Sequence, residues 1–170
     1  MRILMVFESM FGCTERVARA VADGLGGAEV LNVDDAPDDL AGVDLLVVGG
    51  PTHVHGLSRA STRQSAAQQT KEEVRSKTGV REWLDSLGTV PKGLSSAAFD
   101  TRLDKPRWLT GSAAQGVTKR LKLRGCKLVM PAESFFVHTG SGETELAGGE
   151  LERAHAWGEV LGAAMRRTVS

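Results

Sequence analysis

Two short apolar runs constrain this chain more than any other feature: Ile3-Leu4-Met5-Val6-Phe7 and Asp44-Leu45-Leu46-Val47-Val48-Gly49. Neither alternates apolar with polar residues and both are too short for a helix, so each reads as a strand buried on both faces. Such strands belong to parallel sheets, whose connections are helical crossovers. The stretches between them fit that role. Thr14 to Leu25 sets Val17, Ala18, Val21, Ala22 and Leu25 at helical spacing, and Gly26-Gly27 ends it. Glu29 to Val33 reads as a second strand, Val80 to Leu87 as a short helix and Gly93 to Phe99 as a fourth strand. Ser112 to Leu123 is a helix with Ala113, Val117 and Leu121 on one side. Cys126 to Met130 and Ser134 to Val137 form a fifth strand, interrupted at Pro131 because proline has no N–H for the ladder. Glu145 to Arg167, carrying Leu151, Ala154, Leu161 and Met165, closes the chain as a helix. The pattern predicts an α/β fold: a doubly wound five-stranded parallel sheet with helices on both faces, in a single domain over residues 1–170.

Composition narrows the partners. The 170 residues carry 21 basic and 21 acidic side chains, a balance that gives no reason to expect nucleic acid or a membrane surface. No apolar run approaches the ~20 residues of a membrane span, and the N-terminal run meets Glu8 too soon for a signal peptide. Cys13 and Cys126 make no disulfide framework, which suits a reducing cytoplasm. Residues 57–79 stand apart: Ser, Arg, Gln, Thr, Lys and Glu dominate, and the stretch reads as a polar insertion or lid longer than an ordinary connection.

In open parallel sheets ligands bind beyond the carboxyl ends of the strands. The first turn there is Glu8-Ser9-Met10-Phe11-Gly12-Cys13-Thr14, with a helix directly after it. Ser9 and Thr14 offer hydroxyls, Gly12 lets the backbone turn its amides inward, and a helix N-terminus adds about half a positive charge. These parts can hold a phosphate without a lysine. The bland alternative is a turn that Thr14 merely caps. No G-x-G-x-x-G follows the first strand and no G-x-x-x-x-G-K-[ST] occurs, so Asp34 and Asp35 read as a solvated turn and not as ribose ligands.

The loop resembles the phosphate loop of the flavodoxin-like family, whose pattern [ST]-x-[TYF]-G-x-[ST] is matched by Ser9, Phe11, Gly12 and Thr14. It is closest to the Ser-Met-aromatic-Gly version of flavodoxin-like NAD(P)H:quinone reductases. Gly49-Gly50-Pro51-Thr52-His53-Val54-His55-Gly56 resembles the family's Gly-x-Pro-Thr loop beneath the flavin, and Phe99-Asp100-Thr101-Arg102 begins where its other flavin loop does. The resemblance spans nearly the whole chain and implies strand order 2-1-3-4-5 with FMN as cofactor. It implies that Ser9, Met10, Phe11, Gly12, Cys13 and Thr14 wrap the phosphate. Pro51, Thr52, His53, Val54, His55 and Gly56 would lie under the ring, and Asp100, Thr101 and Arg102 near its polar edge. Members often stack a tyrosine and a tryptophan on the flavin, but this chain has no tyrosine. His53, His55 and Trp108 are the candidate rings, with Trp108 reading equally well as a loop anchor.

Charge bears on the chemistry. Residues 100–109 hold Arg102, Lys105 and Arg107 against Asp100 and Asp104, and residues 51–79 are also net basic. Either these are ordinary solvated charges, or they stabilise a reduced flavin and attract a nicotinamide nucleotide. The resemblance then implies a reductase that passes electrons from NAD(P)H or a protein donor to a quinone-like acceptor. Two alternatives stay open: an electron carrier that docks on redox partner proteins, and a regulatory or assembly domain poor in FMN. Reductases of this kind are often homo-oligomers, though no interface is marked here. The redox chemistry belongs to the flavin, so no catalytic acid or base is assigned. Cys13, at a helix start, reads as a thiol of lowered pKa or as a small packing residue, and Cys126 as core. His53-x-His55 lacks the further ligands of a metal site.

Overall fold

A computed structural model describes residues 1–52, 79–140 and 143–169. Strands β1 (Ile3–Phe7), β2 (Glu29–Asn32), β3 (Leu45–Pro51) and β4 (Ser95–Leu103) are parallel neighbours in the order β2-β1-β3-β4. Two further strands share the far side of β4. β5 (Lys127–Leu128) pairs with its start and β6 (Glu133–Gly140) with its end, so the expected interruption around Pro131 is real. The expected order 2-1-3-4-5 therefore holds, with β5 and β6 as two pieces of one position.

The sheet has seven strands among the described residues, not five, and the last is antiparallel. β7 (Glu143–Leu146) pairs with β6 and corrects the expectation that the closing helix starts at Glu145. The physical reason is local. Glu143 and Glu145 are exposed while Thr144 and Leu146 are half-buried, a two-residue alternation suited to an edge strand. Gly149, at φ 81°, then breaks the chain before the helix.

Helix α1 (Cys13–Gly24), α2 (Val80–Ser86), α3 (Arg107–Thr110), α4 (Ala113–Leu123) and α5 (Glu150–Val169) complete the described elements. They divide by sheet face. Leu4, Val6, Leu46, Val48 and Ala98 pack with Trp83, Leu84, Val117 and Leu121 of α2 and α4. Met5, Phe7, Val47 and Phe99 pack with Val17, Val21, Trp157 and Leu161 of α1 and α5. Phe99, Phe135 and Trp157 meet edge to face at 6.0–6.2 Å. The ring of Phe99 fills the space that a side chain at residue 49 would need: a Cβ on Gly49 would stand 2.0 Å from its Cζ. Both faces are thus covered and all functional loops are forced to the sheet's edges. Asp34 and Asp35 lie exposed in a single 3-10 turn whose Asn32 side chain accepts from the Asp34 amide, as the solvated-turn reading expects. The polar stretch assigned to 57–79 lies outside the described residues except for Gly79, which precedes α2. Among the described residues no helix is long and apolar enough to cross a membrane.

Candidate functional site

At the carboxyl edge of the sheet a cleft of about 220 Å³ opens between the loop after β1 and the ends of β3, β4, β6 and β7. Met10, Phe11, Cys13 and Thr14 line it from the first loop, and Pro51 and Thr52 from β3 and the residue after it. Thr101, Arg102 and Leu103 of β4 form the wall beside them, and Val137, Thr139 and Thr144 the wall beyond. Among these described residues there is no carboxylate.

The first loop is built by buried polar groups. Gly12 takes φ 96°, ψ −14°, a left-handed conformation open to glycine at little cost, and caps α1. The fully buried Ser9 turns its Oγ inward to accept from the amides of Gly12 (3.0 Å) and Glu15 (3.4 Å). Glu8, also fully buried, accepts from the first amide of α2, Val80 N, at 2.9 Å, while its own amide donates to Gly49 O at 3.0 Å. Arg16 N donates to Gly12 O at 3.1 Å. The amides of Cys13 and Thr14, the first two of α1, meet no acceptor among the described residues, the usual state of orphan donors at a helix start.

Thr14 is not the N-cap. Its Oγ1 lies 2.8 Å from Thr101 Oγ1, tying α1 to β4, and the two residues are only 2% and 4% exposed. One hydrogen bond between two hydroxyls uses one proton. The other has no acceptor among the described residues, although a buried hydroxyl normally finds one. The cleft therefore presents two amides and one hydroxyl in need of an acceptor, beside the apolar surfaces of Met10, Phe11, Pro51, Leu103 and Val137.

The remaining expected residues divide. Asp100 is fully buried and does not line the cleft: its Oδ2 accepts from Ser112 Oγ (2.5 Å) and Ala114 N (3.0 Å), capping α4 from a distance. Thr52 helps, accepting from Ala113 N at 3.1 Å. Arg102 stays on the wall with its guanidinium fixed. It donates to Ser134 Oγ (3.0 Å), Lys105 O (2.7 Å) and Thr110 Oγ1 (3.4 Å) and lies 5.0 Å above the Phe136 ring. His53, Val54, His55 and Gly56 lie outside the described residues. Trp108 is 78% exposed, so it neither lines the cleft nor anchors its loop. Cys126 is buried in the core as expected.

Cys13 departs from the lowered-pKa reading. Burial pushes its thiol above the ordinary value, Glu145 adds to the rise, and only Arg16 opposes it. Desolvation of the anion outweighs the helix start here. The thiol instead donates to Thr144 O at 3.5 Å.

Sequence reasoning missed Leu103, Val137, Thr139 and Thr144. Val137 and Thr139 are two apart on β6 and share a face, a signal that needed only the strand's true end. Thr144 required β7 to be recognised.

No protein-family model matches the sequence, and neither does any curated protein. Solved structures do. Flavodoxin 1 from Bacillus cereus superposes with a TM-score of 0.67 at 18% identity, covering 100% of both chains. A flavodoxin from the domain Archaea gives 0.66 at 16% identity over 98% of this chain and 99% of that one. A WrbA-like flavodoxin protein from Agrobacterium tumefaciens gives 0.62 at 18% identity over 98% of each. The sheet order, the helices on both faces and the cleft at the carboxyl edge agree with these likenesses: the chain has the flavodoxin-like fold.

Proposed function

We propose that the cleft binds FMN and that the chain is a flavin redox protein exchanging electrons with a protein partner. The carrying observation is the buried Thr14–Thr101 pair, next to the amides of Cys13 and Thr14; one hydroxyl proton of the pair and both amides meet no acceptor among the described residues. Donors without a lysine or a carboxylate suit a phosphate ester, and the apolar lining beside them suits a planar ring. The volume is below the roughly 300–1,000 Å³ of sites that engulf a drug-sized ligand, which fits a cofactor gripped at one end and open to partners at the other. Cys13 and Thr14 amides and the Thr14 hydroxyl would hold the phosphate; Met10, Phe11, Pro51 and Leu103 would exclude water from the ring. When bound, FMN supplies the uptake and return of electrons. The chain's part is orientation and electrostatics, with the fixed Arg102 as the cation on the cleft wall.

A second reading is a reductase that takes electrons from NAD(P)H and gives them to a quinone-like acceptor. It is favoured by Arg102 on a wall where no described residue is acidic, since that environment attracts nucleotide phosphates. Both readings are tested by an absorption titration with FMN followed by anaerobic NADPH and NADH. The expected result is a perturbed flavin band that persists with both nucleotides. Rapid bleaching would replace the carrier reading by the reductase, and an unperturbed band would overturn FMN binding itself.

A further inference from the structure

The loop after β4 runs out of the cleft wall and exposes every residue from Leu103 to Leu109. Leu103, Trp108 and Leu109 are 36%, 78% and 48% exposed, so a large apolar group stands in water at the cleft's rim. A tryptophan left in water is unusual, because the indole normally buries most of its area. The loop is nonetheless fixed at both ends. Asp100 ties its root to Ser112 and Ala114, and the Arg102 guanidinium bonds both Lys105 O and Thr110 Oγ1, closing the excursion from inside. Lys105 and Arg107 stand exposed on it with one carboxylate, Asp104, and neither cation makes an ion pair among the described residues. Across the cleft β7 presents Thr144 to the lining, and its Glu143 and Glu145 are exposed.

We infer that Leu103–Leu109 is a docking surface for an acidic protein partner, with Trp108 as its apolar anchor and Lys105 and Arg107 as its steering charges. This rests on the redox reading and names the chemistry of the partner. A preformed aromatic amid basic groups is the composition of an interface hot spot. Exposed Lys105 and Arg107 beside the anchor raise the encounter rate with a surface of opposite charge. Three apolar side chains are too few for a stable dimer and match the small contact of a transient electron-transfer encounter. A second copy of this chain would set Lys105 and Arg107 against their own kind at a two-fold contact.

The test uses nuclear magnetic resonance of the full chain at low salt, with oxidised plant-type ferredoxin as the acidic probe and cytochrome c as the basic one. Ferredoxin should shift the Trp108 indole N–H and the amides of 103–110, and cytochrome c should not. The K105E/R107E variant and Trp108→Ala should each weaken ferredoxin binding at least about tenfold. The buried indoles of Trp83 and Trp157, unmoved in these variants, report that the fold is intact. The inference is overturned by equal response to both probes, response to neither, a Trp108 shift caused by NADPH alone, or one caused by raising this protein's own concentration. FMN binding is read separately by absorption on the same samples. Loss of FMN binding with ferredoxin docking intact would refute the cofactor reading and leave the docking surface standing. FMN that itself buries the Trp108 indole would make that residue a cofactor contact and end the docking proposal.

Discussion

The loop after β1 and the loop after β4 occupy equivalent places, each leaving the carboxyl end of a parallel strand beside the same cleft, yet their chemistry is inverted. Glu8, Ser9 and Thr14 are polar and buried, whereas Leu103, Trp108 and Leu109 are apolar and exposed. Burying polar groups costs free energy unless they find partners, and exposing apolar ones forgoes the gain of burial. In the first loop the internal bonds of Ser9 and Glu8 satisfy most of the demand, and what is left over converges on the cleft. In the second, Arg102 and Asp100 fix the backbone while the outer face is left for something else. A site for a small anion and a site for a protein surface are distinguished by which kind of group is left unmatched.

The sharpest way to break this contrast is Gly12→Asp. A side chain at φ 96° costs about 1–2 kcal/mol, and a carboxylate there also repels a phosphate. FMN affinity by absorption titration should fall by more than ~100-fold; a change within threefold would mean that the phosphate is held elsewhere. Thr14→Val comes next. A hydrogen bond to a charged group contributes about 1.5–3 kcal/mol, so FMN should bind roughly 10- to 150-fold more weakly. Thr101→Val removes the other hydroxyl of the pair, and its FMN affinity beside that of Thr14→Val shows which of the two presents the spare proton.

Asp100→Ala separates support from contact. It strips acceptors from Ser112 and Ala114 and should lower stability by ~1–3 kcal/mol in urea unfolding, with FMN affinity reduced by less than Thr14→Val reduces it. The reverse ranking would make Asp100 a cofactor ligand. The smallest effect concerns the footing of the exposed loop, where Phe136 carries Arg102 on its ring and donates its amide to Glu150 at 2.7 Å. The hydrogen bond from Arg153 holds the Glu150 carboxyl below its usual range, aided by the Phe136 amide and opposed by burial. A depressed folded-state pKa stabilises above the unfolded carboxyl pKa of ~4.3, and the contribution is lost as pH falls through the folded value. Urea midpoints between pH 7 and 3 should therefore drop more steeply for the wild type than for Glu150→Gln. Parallel slopes would contradict this.

Much of the frame was legible because it is written in continuous apolar runs. Ile3–Phe7 and the run around Leu45–Val48 have no other reading, and the strand order followed from the family resemblance. β7 was not legible because four residues, Glu-Thr-Glu-Leu, are too few for a period to show, and the strand exists only by pairing with β6. Ser9, Gly12 and Thr14 were marked by residue type and spacing. Their division of labour was not: only the folded chain shows Ser9 accepting from its own loop and Thr14 facing Thr101. The resemblance places Asp100 near the ligand, and its capping of Ser112 and Ala114 is not visible in the sequence because those partners lie 12 and 14 residues away. Of the two readings of Cys13, the buried side chain bears out packing and not a lowered pKa, since helix position is visible in sequence and desolvation is not. The exposure of Trp108 is likewise a tertiary fact.

The central claim is that the loop after β1 grips a phosphate, and calorimetric titration with FMN and riboflavin in parallel tests it most directly. The two ligands share the ring and differ by the phosphate. FMN should bind one to one and riboflavin at least about 100-fold more weakly, from the loss of charge-assisted bonds to Thr14 and the α1 amides. Equal affinities, or binding of neither, would contradict it.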